Sequence, residues 1–173
     1  MVTSSQLAPR GDYRSSDSSI VRGLAERDIK QSCILIVDDE SLNIEVVRRY
    51  LELGGYRNLI SSDHAGQALP LIGLNRPDVV LLDIHMPEIN GLEILAAVRS
   101  DEVLCRTPVI ILTGSSDPET KLIALQAGAT DLLQKPVHSG ELLARLGNVL
   151  RMKAYQDRLH EHSEELEEAV RRR

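Results

Sequence analysis

Five polar side chains stand at the ends of apolar runs in this sequence, where chemistry is often placed. Asp38 and Asp39 follow CILIV, Asp83 ends DVVLLD, Thr113 ends PVIILT and Lys135 ends DLLQK. Carboxylates crowded at one place repel each other unless a positive charge lies between them. Oxygen ligands of this kind suit Mg²⁺, which takes one or two carboxylates, water and a phosphate oxygen.

If these side chains meet, they can carry out phosphoryl chemistry. A Mg²⁺ ion between Asp39 and Asp83 would relieve the repulsion, and the Asp83 carboxylate is a natural nucleophile toward phosphorus. Lys135 supplies a point charge for a phosphoryl oxygen, and Thr113 offers a hydroxyl to another. Charge on a transferring group would then be met by the metal and the ammonium.

Five short apolar runs alternate with helical patterns. Strands are predicted over 33–37, 58–61, 78–83, 108–113 and 131–135, and helices over 41–55, 65–74, 91–100, 118–129 and from 139 onward. We expect Ser41 to be an N-cap, Gly54–Gly55 and Gly128 to end helices, and Pro70 to weaken its helix. This alternation predicts a doubly wound α/β domain with a parallel sheet. In such sheets the site lies beyond the carboxyl ends of the strands, where all five side chains stand.

Four motifs together resemble the receiver domain of bacterial two-component response regulators. They are VDDE (37–40), LLDIHMPEINGLE (81–93), ILTGSS (111–116) and QAGATDLLQKP (126–136). The resemblance covers residues 33–150 and is specific, because the motifs fall in the family's order at the expected strand ends. It implies a flavodoxin-like sheet with strand order 2-1-3-4-5.

The resemblance also implies roles for the polar residues. Asp83 is the phosphoacceptor, Asp39 binds Mg²⁺ directly, and Asp38 assists through water. The backbone carbonyl of His85 completes the metal shell, while Thr113 and Lys135 contact the phosphoryl group. A sensor histidine kinase is the implied donor. The chain would catalyse only its own phosphorylation and dephosphorylation, so it is not expected to be an enzyme in the usual sense.

Three further positions follow from the same resemblance. The Lys135–Pro136 bond is expected to be cis, and Pro87 and Gly91 are expected to shape the turn after Asp83. The family commonly has Tyr or Phe three residues before the lysine, whereas this chain has Leu132. The usual aromatic switch is therefore not expected in its usual form: either Leu132 repacks, or the signal travels through helix displacement.

The two ends of the chain differ from its middle. Residues 1–30 are rich in Ser and scattered charges, which predicts a disordered tail with a weak helix near Ile20–Lys30. Residues 31–150 form the predicted receiver, and 151–173 a helical extension with a heptad seam at Val149, Met152, Gln156, Leu159, Ser163, Leu166 and Val170. A parallel coiled coil in a homodimer is favoured over a helix folded back on its own domain. The extension is similar to linkers that join receivers to output domains of the HD-GYP or GGDEF type.

Composition limits the remaining possibilities. The net charge of −6 argues against direct nucleic-acid binding. No apolar run reaches the length of a membrane span, and two cysteines without CxxC spacing fit a reduced compartment, so a cytoplasmic location is expected. Two alternatives stay open: a phosphorylation-independent scaffold, and a haloacid-dehalogenase-like phosphatase to which Asp38 and Glu40 fit loosely.

Overall fold

The structure is a computed structural model of the chain and describes residues 29–114 and 118–172. Within these residues the strands are β1 (Ile34–Val37), β2 (Leu59–Ser62), β3 (Val79–Asp83), β4 (Val109–Thr113) and β5 (Asp131–Gln134). The α-helices are α1 (Ser41–Leu53), α2 (Ala68–Asn75), α3 (Gly91–Ser100), α4 (Pro118–Gln126) and α5 (Ser139–Arg171). A 3₁₀ turn (Ala65–Gln67) precedes α2.

The strands form one parallel sheet in the order β2-β1-β3-β4-β5. The predicted doubly wound fold and strand order are confirmed. The register places Val37 of β1 beside Leu82 of β3, and Thr113 of β4 beside Gln134 of β5. The carboxyl ends of β1, β3, β4 and β5 therefore lie along one edge of the sheet, which positions the residues that follow them.

The apolar runs are continuous because both faces of the sheet are covered. Side chains alternate along a strand, so Ile34 and Ile36 face one layer while Leu35 and Val37 face the other. The first layer is completed by α1, Tyr56 and the first three turns of α5. The second layer is completed by α2, α3 and α4. Burial on both faces is what makes a parallel strand read as an unbroken apolar run.

Most predicted boundaries agree with the structure to within one or two residues, with two instructive differences. Ser41 was expected to cap α1, but it is the first helical residue, and the N-cap is Glu40 without a side-chain cap bond. The predicted 65–74 helix divides into the 3₁₀ turn and α2, with Pro70 in the first turn of α2. A proline is tolerated there because its missing N–H would have no helical partner.

The stops at glycine are confirmed. Gly55 has φ +90° and Gly128 has φ +98°, the left-handed region that glycine enters at no steric cost. The N–H of Tyr56 returns to the carbonyl of Leu51, and that of Gly128 to the carbonyl of Leu125, at 3.0 Å each. Both helices therefore close as the sequence predicts.

The predicted tail lies outside the described residues except for its last two positions. Ile29 is buried in the first core layer, and the Nζ atom of Lys30 lies 4.0 Å from the centre of the Tyr56 ring. At the other end, α5 continues past the buried Leu150 as an unbroken helix. Met152, Tyr155, Leu159, Leu166 and Val170 are exposed along it, so it does not fold back on the domain. Across the described ranges, no helix combines the length and apolar character that a bilayer crossing requires.

Candidate phosphoryl and metal site

Three carboxylates meet where β1 and β3 end. The oxygens that Asp38, Asp39 and Asp83 can offer to a metal all lie within 4.8 Å of one another. Asp38 is 1% exposed and Asp83 is 3% exposed, while Asp39 is half-buried. The sheet brings them together because β1 and β3 are hydrogen-bonded neighbours that end level with each other.

Lys135 reaches this cluster from beyond β5. Its Nζ atom lies 2.6 Å from Oδ2 of Asp38 and 2.8 Å from Oδ1 of Asp83. The backbone N–H of Lys135 donates to the carbonyl of Thr113 at 2.8 Å, which ties the base of the side chain to the end of β4. The following peptide bond, Lys135–Pro136, is cis as expected. The ammonium group thus bridges the acids of two different strands.

The two oxygens of Asp38 have different partners. Oδ1 accepts from the backbone N–H of Glu40 at 3.0 Å and from Nδ2 of Asn43 at 3.1 Å. Oδ2 is buried and, within the described ranges, has no hydrogen bond of good geometry. Its short contact with Lys135 is a charge pairing. Asn43 was not among the predicted site residues, although an amide at the third position of the helix after the acid pair was a usable signal.

Burial and charge act in opposite directions on the bridging pair. Burial raises the pKa of Asp83, the ammonium of Lys135 opposes this, and the charges of Asp38 and Asp39 raise the pKa further; the net shift is upward. Burial lowers the pKa of Lys135, but the carboxylates of Asp38 and Asp83 outweigh it, and the net shift is again upward. Lys135 therefore stays an ammonium ion at neutral pH.

The donors present fit a hard divalent cation. With three ionised acids, the cluster carries three negative charges against the one positive charge of Lys135. All the donors are carboxylate oxygens, the type that Mg²⁺ prefers, and Oδ2 of Asp38 is a buried acceptor with spare capacity. A second cation at this point would bring the charges close to balance.

The other predicted residues surround this cluster in different ways. Thr113 ends β4 with its side chain fully buried. The side chain of His85 is exposed; the predicted metal shell uses its backbone carbonyl. Leu132 is partly buried and packs against the second core layer.

The turn after Asp83 depends on a glycine. The N–H of Gly91 donates to the carbonyl of Ile84 at 2.9 Å, and a Cβ atom on Gly91 would collide with the backbone carbonyl of Asp83. Asn90 caps α3 by accepting the N–H of Leu92 at 2.8 Å. The backbone beside Asp83 can therefore approach α3 closely only with glycine at this position.

Comparisons with known proteins agree with this geometry. Residues 34–147 match the family model described as the response regulator receiver domain. The response regulator MprA of Mycobacterium sp. (strain KMS) is 41% identical over 120 residues, which are 68% of this chain and 50% of that protein. The phosphate regulon transcriptional regulatory protein PhoB of Pseudomonas aeruginosa is 38% identical over 118 residues, 68% of this chain and 51% of that protein.

A solved structure gives the same result. The receiver domain of the Francisella response regulator 1452 superposes with a TM-score of 0.65 at 30% identity. The match covers 72% of this chain and 99% of that one. The chain spans about half the length of the curated relatives it matches.

Proposed function

Since this chain belongs to the response regulator receiver domain family, we propose that Asp83 accepts a phosphoryl group from a sensor histidine kinase and that this transfer switches the protein. Membership of a two-component family implies such a kinase as the partner. The observation that carries the proposal is the ammonium of Lys135 held between buried Asp38 and Asp83. A pocket with this charge arrangement is suited to a phosphoryl group.

Mg²⁺ is the proposed cofactor. Asp39 and Asp83 would bind it directly, Asp38 would assist through water, and the backbone carbonyl of His85 would complete the protein ligands. When bound, Mg²⁺ neutralises charge on the transferring phosphoryl group. The cluster of oxygen donors and its uncompensated negative charge support this assignment.

The proposed transfer uses few protein groups. A carboxylate oxygen of Asp83 attacks phosphorus, an O–P bond forms, and the P–N bond to the donor histidine breaks with its electron pair leaving on nitrogen. Asp83 thereby loses its carboxylate charge, and Lys135 can then pair with a phosphoryl oxygen. Later attack by water returns the carboxylate and releases inorganic phosphate. The chain acts only on its own side chain in both steps.

Thr113 and Leu132 are the proposed start of the readout. The hydroxyl of Thr113 stands at the end of β4, next to the β3 strand that carries Asp83, and can bond a phosphoryl oxygen. Leu132 is aliphatic and occupies the position at which the family commonly has a Tyr or Phe that rotates as part of the switch. We therefore assign the response to repacking of Leu132 and displacement of α4, which follows β4 in the chain.

The C-terminal part of α5 is the proposed dimer element. We divide the chain into the receiver over 31–150 and a coiled-coil segment over 151–173, with 1–30 as a tail. The apolar seam residues Met152, Leu159, Leu166 and Val170 are exposed in one copy, and a parallel partner would cover them. Val149, the first predicted seam residue, is instead buried in the first core layer of its own domain. In a parallel pair Gln156 meets Gln156 and Ser163 meets Ser163, whereas an antiparallel pair would set these polar residues against leucines.

The output domain that the receiver controls is a separate matter from phosphoryl transfer. An HD-GYP or GGDEF output domain was suggested by analogy alone, and the relatives give it no support, since PhoB is by name a transcriptional regulator. A cytoplasmic location and the absence of direct nucleic-acid or membrane contact by this part of the chain stay predictions. The match of residues 34–147 to the receiver domain family argues against the phosphatase alternative.

Phosphoryl uptake tests the proposal. The chain is incubated with acetyl phosphate and Mg²⁺, and its intact mass is compared with that of Asp83→Asn. We expect the wild type to gain one phosphoryl group and the variant none. Equal labelling of both would overturn the assignment of Asp83. No labelling from acetyl phosphate or from a phosphorylated histidine kinase would favour the scaffold alternative.

A further inference from the structure

We propose that Asn43 is a positioning residue for the metal and phosphoryl site, acting through Asp38. This inference rests on the proposed function and adds a residue to which no role has been given above. Its basis is that the two oxygens of Asp38 have different partners. Oδ1 accepts hydrogen bonds at the start of α1, and Oδ2 faces the pocket.

The contacts of Asp38 show how its two oxygens differ. Nδ2 of Asn43 donates to Oδ1 of Asp38 at 3.1 Å, and the backbone N–H of Glu40 donates to the same oxygen at 3.0 Å. Asn43 is itself anchored, because its backbone N–H donates to the carbonyl of Glu40 at 2.9 Å. The amide is thus attached to the first turn of α1 and holds the carboxylate from outside the pocket.

Such a clamp is needed because an aspartate carboxylate rotates easily. The terminal torsion of Asp has a broad, two-fold energy profile, so one hydrogen bond at Oδ1 leaves the plane of the group poorly defined. Two donors on the same oxygen fix that plane. Oδ2 is then directed at Lys135, 2.6 Å away, and into the acid cluster.

The expected consequence concerns metal affinity before any phosphoryl transfer. Groups that orient the residues around a metal typically change its affinity by about 10-fold to 100-fold when removed. Asp38 is proposed to act through water, so the lower end applies. We expect Asn43→Ala to weaken metal binding about tenfold, which corresponds to about 1.4 kcal/mol.

A helix-start residue could instead matter only for the stability of α1, and a matched control separates the two roles. Ser41 lies at the same helix end, and its hydroxyl donates to Asp63 at 3.3 Å, away from Asp38. Ser41→Ala should therefore leave metal binding unchanged. Asn43→Leu, which keeps the volume without the amide, serves if Asn43→Ala folds poorly.

The test measures binding of Mn²⁺, an octahedral oxygen-binding substitute for Mg²⁺, by electron paramagnetic resonance without any phosphoryl donor. The melting temperature of each variant is recorded in EDTA. Weaker Mn²⁺ binding in both Asn43 variants but not in Ser41→Ala supports the inference. Wild-type binding in the Asn43 variants, with or without a lower melting temperature, overturns it. If the wild type itself binds no Mn²⁺, the proposed metal site fails, and this inference fails with it.

Discussion

Replacing Lys135 with Met should destabilise the protein far more than the loss of an ordinary lysine. At an effective dielectric constant of about 20, each contact of Lys135 with Asp38 and Asp83, at 2.6 and 2.8 Å, amounts to about 6 kcal/mol before desolvation is subtracted. Breaking one side of a buried ion pair costs about 3–5 kcal/mol in practice, because the remaining charge is left buried. The Lys135 side chain is 20% exposed, so the lower end is appropriate. We expect a loss of about 3 kcal/mol, or about 9 °C in melting temperature for a chain of this size.

The dependence on Mg²⁺ is the distinctive part of this prediction. In EDTA the variant must keep two buried carboxylates near each other without Lys135. Adding Mg²⁺ supplies positive charge to the same cluster, and a ligand that binds only the folded state stabilises it. The difference between variant and wild type should therefore shrink in Mg²⁺. Unfolding is followed by far-ultraviolet circular dichroism at one protein concentration, in EDTA and in Mg²⁺.

Lys153 provides a matched control for this experiment. Its Nζ atom lies 2.7 Å from a carboxylate oxygen of Asp157, nearly the same distance as in the buried pairs. The Asp157 side chain is 52% exposed, and pairs of this i,i+4 type contribute about 0.3–0.5 kcal/mol. Lys153→Met should therefore cost little and show no Mg²⁺ effect. Equal losses of stability in the two variants, or a loss in Lys135→Met that is the same in EDTA and in Mg²⁺, would refute the reasoning.

Two further predictions concern the turn after Asp83 and the C-terminal helix. Gly91→Ala should destabilise the fold by about 2 kcal/mol and slow phosphoryl uptake, because the added methyl group collides with the Asp83 backbone. Gly140 has open space around it in α5, so Gly140→Ala should neither destabilise the fold nor slow uptake. Equal unfolding temperatures of the two variants would contradict the steric argument. Removing residues 151–173 should leave a folded monomer by light scattering and circular dichroism, while a truncated chain that is still dimeric would exclude the coiled coil as the dimer element.

The sheet and the acid cluster were predictable because their signals are local and repeated. Each strand is a short apolar run that both faces bury, and each run ends at a polar residue. Parallel strands bring those ends to one edge, so the meeting of Asp38, Asp83 and Lys135 followed from spacing and fold class. The glycine stops at Gly55 and Gly128 were likewise predictable, since positive φ favours glycine.

The differences arise where specific side-chain contacts decide the local structure. Ser41 has a side chain typical of an N-cap, but Asp38 already binds the N–H of Glu40, and the helix begins one residue earlier than that pattern suggests, with Glu40 as the N-cap. Asn43 was missed because an asparagine five residues after Asp38 is only a weak signal, and the structure is needed to show that its amide contacts Asp38. The change from the 3₁₀ turn to α2 has no sequence signal beyond Pro70, which α2 accommodates in its first turn.

Asp83 is the proposed phosphoacceptor, and direct mapping of the phosphoryl group is the best test of this role. The chain is labelled with acetyl phosphate in Mg²⁺ or in EDTA and then treated with borohydride, which reduces an aspartyl phosphate to homoserine. Peptide mass spectrometry locates the reduced residue. We expect homoserine at position 83 alone and only in the Mg²⁺ sample. Homoserine at position 38 or 39, or equal labelling in EDTA, would contradict it.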